Sequence, residues 1–280
     1  MSRPRTVIVQ NPSIVLTTLA CLLKSLIGFN LMVDRHSNFK LETMGSPLLK
    51  YKIFHVLSKY TVRKANLTIV TNEFLKELVE TWGGRALVLP DKLPSLSLAE
   101  RVDLPGKSNI AFVCSYSDDE PLDAVIESAR LIDPEVVIHV TGDHRKLNGT
   151  IVSEAPPNVV FTGFLNEGAY QSLLYSCDAV MVLTTEENLL TCGAYEAVSL
   201  GKPMILSNTK NLREYFYRGA IFTENNAAGI AQAVRASIFH SNALRSDVMA
   251  LAAELRNSWQ VDFDSLRALI DRHLAEQVQD

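Results

Sequence analysis

The stretch Thr184-Thr185-Glu186-Glu187-Asn188-Leu189-Leu190-Thr191-Cys192-Gly193-Ala194-Tyr195-Glu196-Ala197-Val198-Ser199-Leu200-Gly201-Lys202-Pro203 decides the fold. The apolar run Ala179-Val180-Met181-Val182-Leu183 feeds into it and reads as a buried strand. Strand, polar loop and helix in succession mark the carboxyl edge of a parallel sheet, where such sheets bind ligands. Thr191 is placed to cap the helix, and Gly193 would let a ligand approach its first turn. The unpaired amides there favour an anion such as a diphosphate. Glu196 follows about one turn later, within reach of a sugar's hydroxyls. Phosphate on amides plus a diol on a carboxylate is how a nucleotide sugar would be held. The stretch equally fits an ordinary parallel-sheet unit with a surface glutamate. The helix closes at Gly201, and Lys202-Pro203 opens the next strand, Met204-Ile205-Leu206.

Around this stretch the second half alternates strand and helix. Strands are expected at 109–114, 136–140, 159–161, 179–183, 204–206 and near 220–222, with helices at 121–132 and 167–176 and three more toward the end. The first half alternates in the same way. Strands are expected at 6–10, 31–33, 67–70 and 86–89. A helix over Ile14 to Ile27 is too short for a membrane span, carries Lys24 mid-run, and reads as a core helix. Ser46-Pro47 reads as the start of a helix reaching Lys64, and Thr71 as the cap of a helix through Thr81. Such alternation means parallel sheets with crossover helices. Pro90 to Lys107 holds three prolines and no periodicity, so it reads as connecting chain.

Composition agrees with a globular α/β protein: 280 residues, 47% hydrophobic and 21% charged, enough for two domains. Cys21, Cys114, Cys177 and Cys192 lack metal-like spacing and read as reduced thiols. Residues 1–96 hold 13 Lys+Arg against 6 Asp+Glu, a charge of +7. The remainder holds 14 against 25, or −11. On the helix at 46–64, Lys50, Lys52, His55, Lys59, Arg63 and Lys64 oppose Leu49, Ile53, Val56 and Tyr60. That pattern fits either a solvated helix face or peripheral contact with an anionic membrane. Nucleic acid is the weakest partner, because aromatics are not interleaved with the basic residues.

Residues 108–240 resemble the donor-binding domain of GT-B glycosyltransferases, especially the nucleotide-sugar group numbered family four. Asn158-Val159-Val160-Phe161-Thr162-Gly163-Phe164 resembles the strand and glycine turn beside the base, with Phe164 and Leu165 near it. Ser176-Cys177-Asp178-Ala179-Val180-Met181-Val182 resembles the next strand. Tyr195-Glu196-Ala197 with Gly201-Lys202-Pro203-Met204-Ile205 resembles the signature whose glutamate binds the donor ribose. Asn188, Leu189, Leu190 and Gly193 would then face diphosphate and sugar. Residues 7–94 resemble the later part of an acceptor domain. Val9-Gln10-Asn11-Pro12-Ser13 and Val33-Asp34-Arg35-His36-Ser37-Asn38 resemble chitobiosyl-lipid β-mannosyltransferases.

The resemblance implies an α/β, GT-B-like fold of two doubly wound domains: a truncated acceptor-side domain at 1–96, a linker at 97–107, and a donor-binding domain at 108–280. Three departures stand out. Asn188 occupies the place of a second glutamate eight residues before Glu196. The loop after the first donor-domain strand, Ser115-Tyr116-Ser117-Asp118-Asp119-Glu120, is acidic where the family often has Arg and Lys. Arg145 and Lys146 are the candidate substitutes. Asp118 and Asp119 read as helix caps, so no metal or other cofactor is expected. The missing start of the first domain implies a partner chain that completes it, a fragment, or a reduced domain.

The expected function is transfer of a sugar from a UDP- or GDP-linked donor to a lipid-linked or polysaccharide precursor acceptor, in the cytoplasm at the inner membrane face. His36 is the candidate base, with Asp34 orienting it or serving instead. His139, inside a strand, reads as a core histidine, and His144 as surface or near the donor. Two other readings stand beside this one: a non-catalytic or partner-dependent donor-binding subunit, and a sugar-nucleotide epimerase of the same fold.

Overall fold

The computed structural model describes residues 5–10, 13–36, 39–147 and 149–279. The chain divides into two compact units, residues 1–91 with 257–280, and residues 92–256. The elements in order are β1 (Thr6–Gln10), α1 (Ile14–Ile27), β2 (Asn30–Asp34), α2 (Leu49–Lys64), β3 (Leu67–Val70), α3 (Glu73–Thr81), β4 (Ala86–Val88), β5 (Ser108–Phe112), α4 (Leu122–Ala129), β6 (Val136–Thr141), α5 (Gly149–Ser153), β7 (Val159–Gly163), α6 (Glu167–Ser176), β8 (Ala179–Val182), α7 (Cys192–Ser199), β9 (Met204–Ser207), α8 (Lys210–Tyr215), β10 (Ala220–Thr223), α9 (Ala227–Phe239) and α10 (Ser241–Gln279).

The first unit is a parallel sheet in the order β1-β2-β3-β4. Side chains alternate across it. Leu31 and Val33 face a cluster with Ala20 and Cys21 of α1. Met32, Leu67 and Ile69 face Leu266, Leu269 and Ile270 of α10. The far part of α10 therefore covers the second face of this sheet, which is why residues 257–279 join the first unit rather than the 108–280 domain expected.

Several local expectations change. The apolar run Thr6–Gln10 reads as a buried strand, but among the described residues β1 is an edge strand paired only with β2, and Ile8 is half exposed. α1 is not a core helix. Only Thr17, Ala20 and Cys21 are buried, while Val15, Leu16, Leu19, Leu22, Leu23, Leu26 and Ile27 face outward, Leu26 at 82% exposure. α2 begins at Leu49 after an extended Leu48, not at Ser46-Pro47, and no side chain caps it. Its apolar residues Leu49, Ile53 and Val56 are exposed, whereas Ser58, Thr61 and Val62 are buried. α3 is capped by Asn72, whose side chain accepts from the Leu75 N–H at 2.9 Å, not by Thr71.

The second unit is a parallel sheet in the order β10-β9-β8-β5-β6-β7. Its order reverses between β5 and β8, which makes the carboxyl ends of these two strands the switch point. Ile110 and Phe112 pack toward α4 and α9, while Ala111 and Val180 pack toward α7. The connecting chain lies along α6. The N–H groups of Leu98, Glu100 and Val102 donate to Gln171 Oε1, Ser172 Oγ and Ser176 Oγ, and Leu93 and Leu104 pack on the core. The 97–107 segment is thus fastened to the second unit. His139 is buried at hydrogen-bond distance from Asn109, 2.8 Å, and burial lowers its pKa, as expected of a core histidine.

Candidate functional site

The loop from β8 enters α7 through Thr191, which has extended backbone but makes no side-chain cap bond. Its Oγ1 is buried without a partner among the described residues. Gly193 is buried. A Cβ there would stand 3.0 Å from both Val113 Cγ1 and Val182 Cγ2. The glycine therefore serves the close approach of helix to sheet, and its Cα is not turned to open space for a ligand. Leu190 is likewise buried in the core, and Leu189 and Asn188 are half-buried.

Glu196 is half-buried one turn into α7, and its Oε2 accepts from the Tyr170 hydroxyl at 2.5 Å. Burial raises its pKa, and the Tyr170 bond partly offsets that. Among the described residues no hydrogen bond is made to Oε1. Tyr170 is a partner of this carboxylate that the sequence did not disclose. It lies 26 residues away on α6, and no motif links the two.

At the switch point the acidic loop closes on itself. Glu120 accepts from the Ser115 and Ser117 N–H groups, both at 2.9 Å, and from the Ser115 hydroxyl. These are amides that an anion could otherwise take. Asp119 accepts from the Ser117 and Thr184 hydroxyls, and its carbonyl accepts from the Thr185 N–H. Ser207 and Asn225 extend the network, because Thr184 N–H donates to Ser207 Oγ and Asn225 Nδ2 donates to the Thr184 carbonyl. Among the described residues no group of three or more His, Cys, Asp or Glu is arranged to hold a metal ion.

Beyond β7, Phe164 is 78% exposed after Gly163, a free aromatic face. Leu165 turns its side chain to the core instead. Arg145 does not present a free guanidinium. Its Nε and Nη2 each donate to Asp143 at 2.7 Å, and this pairing holds the Asp143 carboxyl at about 2. As a diphosphate clamp Arg145 would have to exchange that partner. The side chain of Lys146 lies outside the described residues.

In the first unit β2 delivers Asp34 and His36. His36 Nε2 is 2.8 Å from Asp34 Oδ1, and Nδ1 is 3.5 Å from Asp91 Oδ1. The Asp34 bond raises the histidine's pKa against the opposing effect of burial, and both carboxylates add to the rise. An imidazole so flanked holds its proton more firmly, which favours the orienting or proton-donating form over a free base. Arg35 is buried between them in sequence. Its Nη2 donates to Ser58 Oγ at 2.9 Å and its guanidinium lies 4.0 Å from the Phe39 ring centre. Burial pulls its pKa down to about 10. Arg35 thereby ties this loop to α2. Asn11, Pro12, Ser37 and Asn38 lie outside the described residues.

Residues 107–238 match the family of glycosyl transferases group 1. No curated protein matches the chain by sequence. Among solved structures, the sucrose-phosphate synthase of Thermosynechococcus elongatus superposes with a TM-score of 0.77 at 16% identity, over 97% of this chain and 74% of that one. HepE of Anabaena in complex with UDP-glucose superposes at 0.74 and 16% identity, over 94% and 79%. A putative UDP-N-acetylglucosamine 2-epimerase from Listeria monocytogenes gives 0.65 at 15% identity, over 98% and 75%. The chain thus has the GT-B fold, two parallel-sheet α/β units, and within it residues 107–238 match the glycosyl transferases group 1 domain.

Proposed function

We propose that the chain is a glycosyltransferase that takes a sugar from a UDP- or GDP-linked donor held by the second unit. The observation that carries this is Glu196: a half-buried carboxylate, oriented by Tyr170 and open at Oε1, one turn into the helix that leaves the sheet beside its switch point. In this reading it accepts from a ribose diol while the first amides of α7 meet a diphosphate. Phe164 offers its face to a base. The UDP and UDP-glucose bound by HepE support this donor class. Uridine would be the first nucleoside to test.

In this reading the first unit presents the acceptor to Asp34 and His36. The acceptor is a glycan precursor or a lipid-linked one. The likeness of residues 9–38 to chitobiosyl-lipid β-mannosyltransferases supports the latter. No described helix is long and apolar enough to cross a membrane. Exposed Leu49, Ile53 and Val56 beside Lys50, Lys52 and Lys59 instead support peripheral contact at the cytoplasmic membrane face.

A second reading is a partner-dependent donor-binding subunit. Glu120 fills the amides of the β5 loop and Asp143 neutralises Arg145, so neither offers a clamp for a leaving diphosphate. The edge strand β1 and the uncovered α1 stripe support a partner chain on the first unit.

Calorimetry with UDP, GDP, ADP and their sugars tests the donor site. One nucleotide should bind, and Glu196→Ala should weaken it by about 1.5–3 kcal/mol, the worth of a charged hydrogen-bond partner. Unchanged affinity in the variant would remove the ribose assignment. Sugar transfer by the chain alone separates enzyme from subunit, and sugar consumption without acceptor would indicate an epimerase.

A further inference from the structure

The amino edge of the second sheet carries a feature the donor reading does not use. A pocket of about 240 Å³ opens there, lined by Arg101, Tyr175, Asp178, Gly201, Lys202 and Arg245. A single ordered water needs only about 10–15 Å³ by the same kind of measure, so a polyatomic ligand fits. Asp178 immediately precedes β8 and Lys202 lies two residues before the start of β9, whereas the α7 N-terminus follows the carboxyl end of β8. The pocket therefore lies at the opposite end of these strands from Thr191.

Its walls are fixed by hydrogen bonds. The Val102 N–H donates to Ser176 Oγ at 2.8 Å and sets Arg101 at the rim. Asp178 Oδ2 accepts from the Asn109 N–H at 2.9 Å. Lys202 Nζ donates to the Cys177 carbonyl at 2.9 Å and stands 5.0 Å from the Tyr175 ring centre.

The charge around the void does not balance. Arg101, Lys202 and Arg245 face one carboxylate, and Arg245 Nη2 reaches Asp178 Oδ1 only at 3.7 Å. The Cys177 thiol gives no compensation, because burial pushes its pKa up to about 12. Lys202 registers the surplus. Its pKa falls to about 8, through burial first and then through Arg245, with Arg101 adding to the fall and Cys177 and Asp178 opposing it. Like charges held together beside an open polar void are relieved by a doubly charged oxyanion, which two arginines and a lysine bind well. Nothing apolar beyond the Tyr175 ring and Leu200 lines the pocket, so the recognised group is the anion itself.

We propose that this pocket binds a phosphate dianion, as inorganic phosphate or as the phosphate of a small phosphomonoester. Lys202 directly follows the turn that ends α7, so an occupant would brace the joint between α7 and β9 from the end remote from Glu196.

The test is titration of the full chain with inorganic phosphate, and separately with glycerol 3-phosphate, at constant ionic strength, read by calorimetry and thermal shift. Saturable binding is expected for at least one of them. Arg101→Ala and Arg245→Ala each alter an exposed side chain, so the fold should persist, and each should weaken binding by about tenfold or more. Lys107→Ala, an exposed cation outside the pocket, should leave binding unchanged. Tighter binding of glycerol 3-phosphate would identify the phosphomonoester as the ligand, and equal affinity the free ion. No saturable response, or a response that survives both arginine changes, overturns the proposal. UDP binding by the same variants reports on the donor site independently.

Discussion

Replacing Gly193 with alanine sets two roles for this residue against each other. In a helix interior, glycine to alanine gains about 1 kcal/mol from propensity, and less in a first turn. Here the added Cβ would meet Val113 Cγ1 and Val182 Cγ2 at 3.0 Å and Val113 Cβ at 3.1 Å. Both neighbours are β-branched and stiff, and Val182 is a β8 residue in the core, so neither can rotate away freely. Overpacking of this kind costs about 1–3 kcal/mol. The clash should outweigh the propensity gain and leave the variant less stable by about 1–2 kcal/mol. For a unit of this size that is a fall in Tm of roughly 2–8 °C. Differential scanning calorimetry gives the number, and hydrogen exchange of the α7 amides should show local loss of protection. Equal or greater stability in Gly193→Ala would refute the packing argument. Unchanged stability with collapsed nucleotide affinity would restore the role of admitting a ligand.

Glu196→Gln should raise the stability of the unliganded chain at neutral pH while weakening nucleotide binding. Burial raises the Glu196 pKa above its ordinary 4.5, so the protonated form stabilises the fold at low pH. That contribution is lost as pH rises through the folded value. Glutamine keeps it, so melting curves from pH 4 to 8 should diverge upward, and the reverse order would contradict this. Tyr170→Phe should raise the Glu196 pKa further by removing the bond that lowers it, shifting the pH midpoint of nucleotide affinity upward. An unmoved midpoint would mean the tyrosine does not orient the carboxylate. His36 has a raised pKa owed first to Asp34, so its stabilising charge is present below pH 6.5 and lost as pH rises through the folded value. Asp34→Asn should lower the His36 midpoint in an NMR titration, and an unchanged midpoint would assign the shift elsewhere.

The apolar runs were legible, but the helix caps were not: α2 begins at Leu49 with no side-chain cap, Asn72 rather than Thr71 caps α3, and Thr191 makes no cap bond. Strand-helix alternation required parallel sheets, and Leu67–Val70, Glu167–Ser176 and the strands near 136, 179 and 204 lie where their patterns placed them. What failed was the reading of burial from apolarity. The α1 sequence is rich in leucine, yet its small residues Thr17, Ala20 and Cys21 pack on the sheet and its large ones point out. Periodicity says that a helix has an apolar face, not what covers it.

The sequence by itself determined the class of fold, the carboxyl-edge position of residues 184–196, and the placing of Glu196 one turn into a helix. These follow from local periods of two and 3.6 and from residue types at helix ends. Only the tertiary structure decided that β8 neighbours β5, because strand order is set by crossovers that leave no local pattern. That adjacency brings Asp119 to Thr184, and the packing of α6 beside α7 sets Tyr170 against Glu196. Glu120 is spent locally, on amides three to five residues before it, whereas Thr184 lies 65 residues from Asp119 and Tyr170 lies 26 from Glu196, and these pairs meet only because the chain is folded.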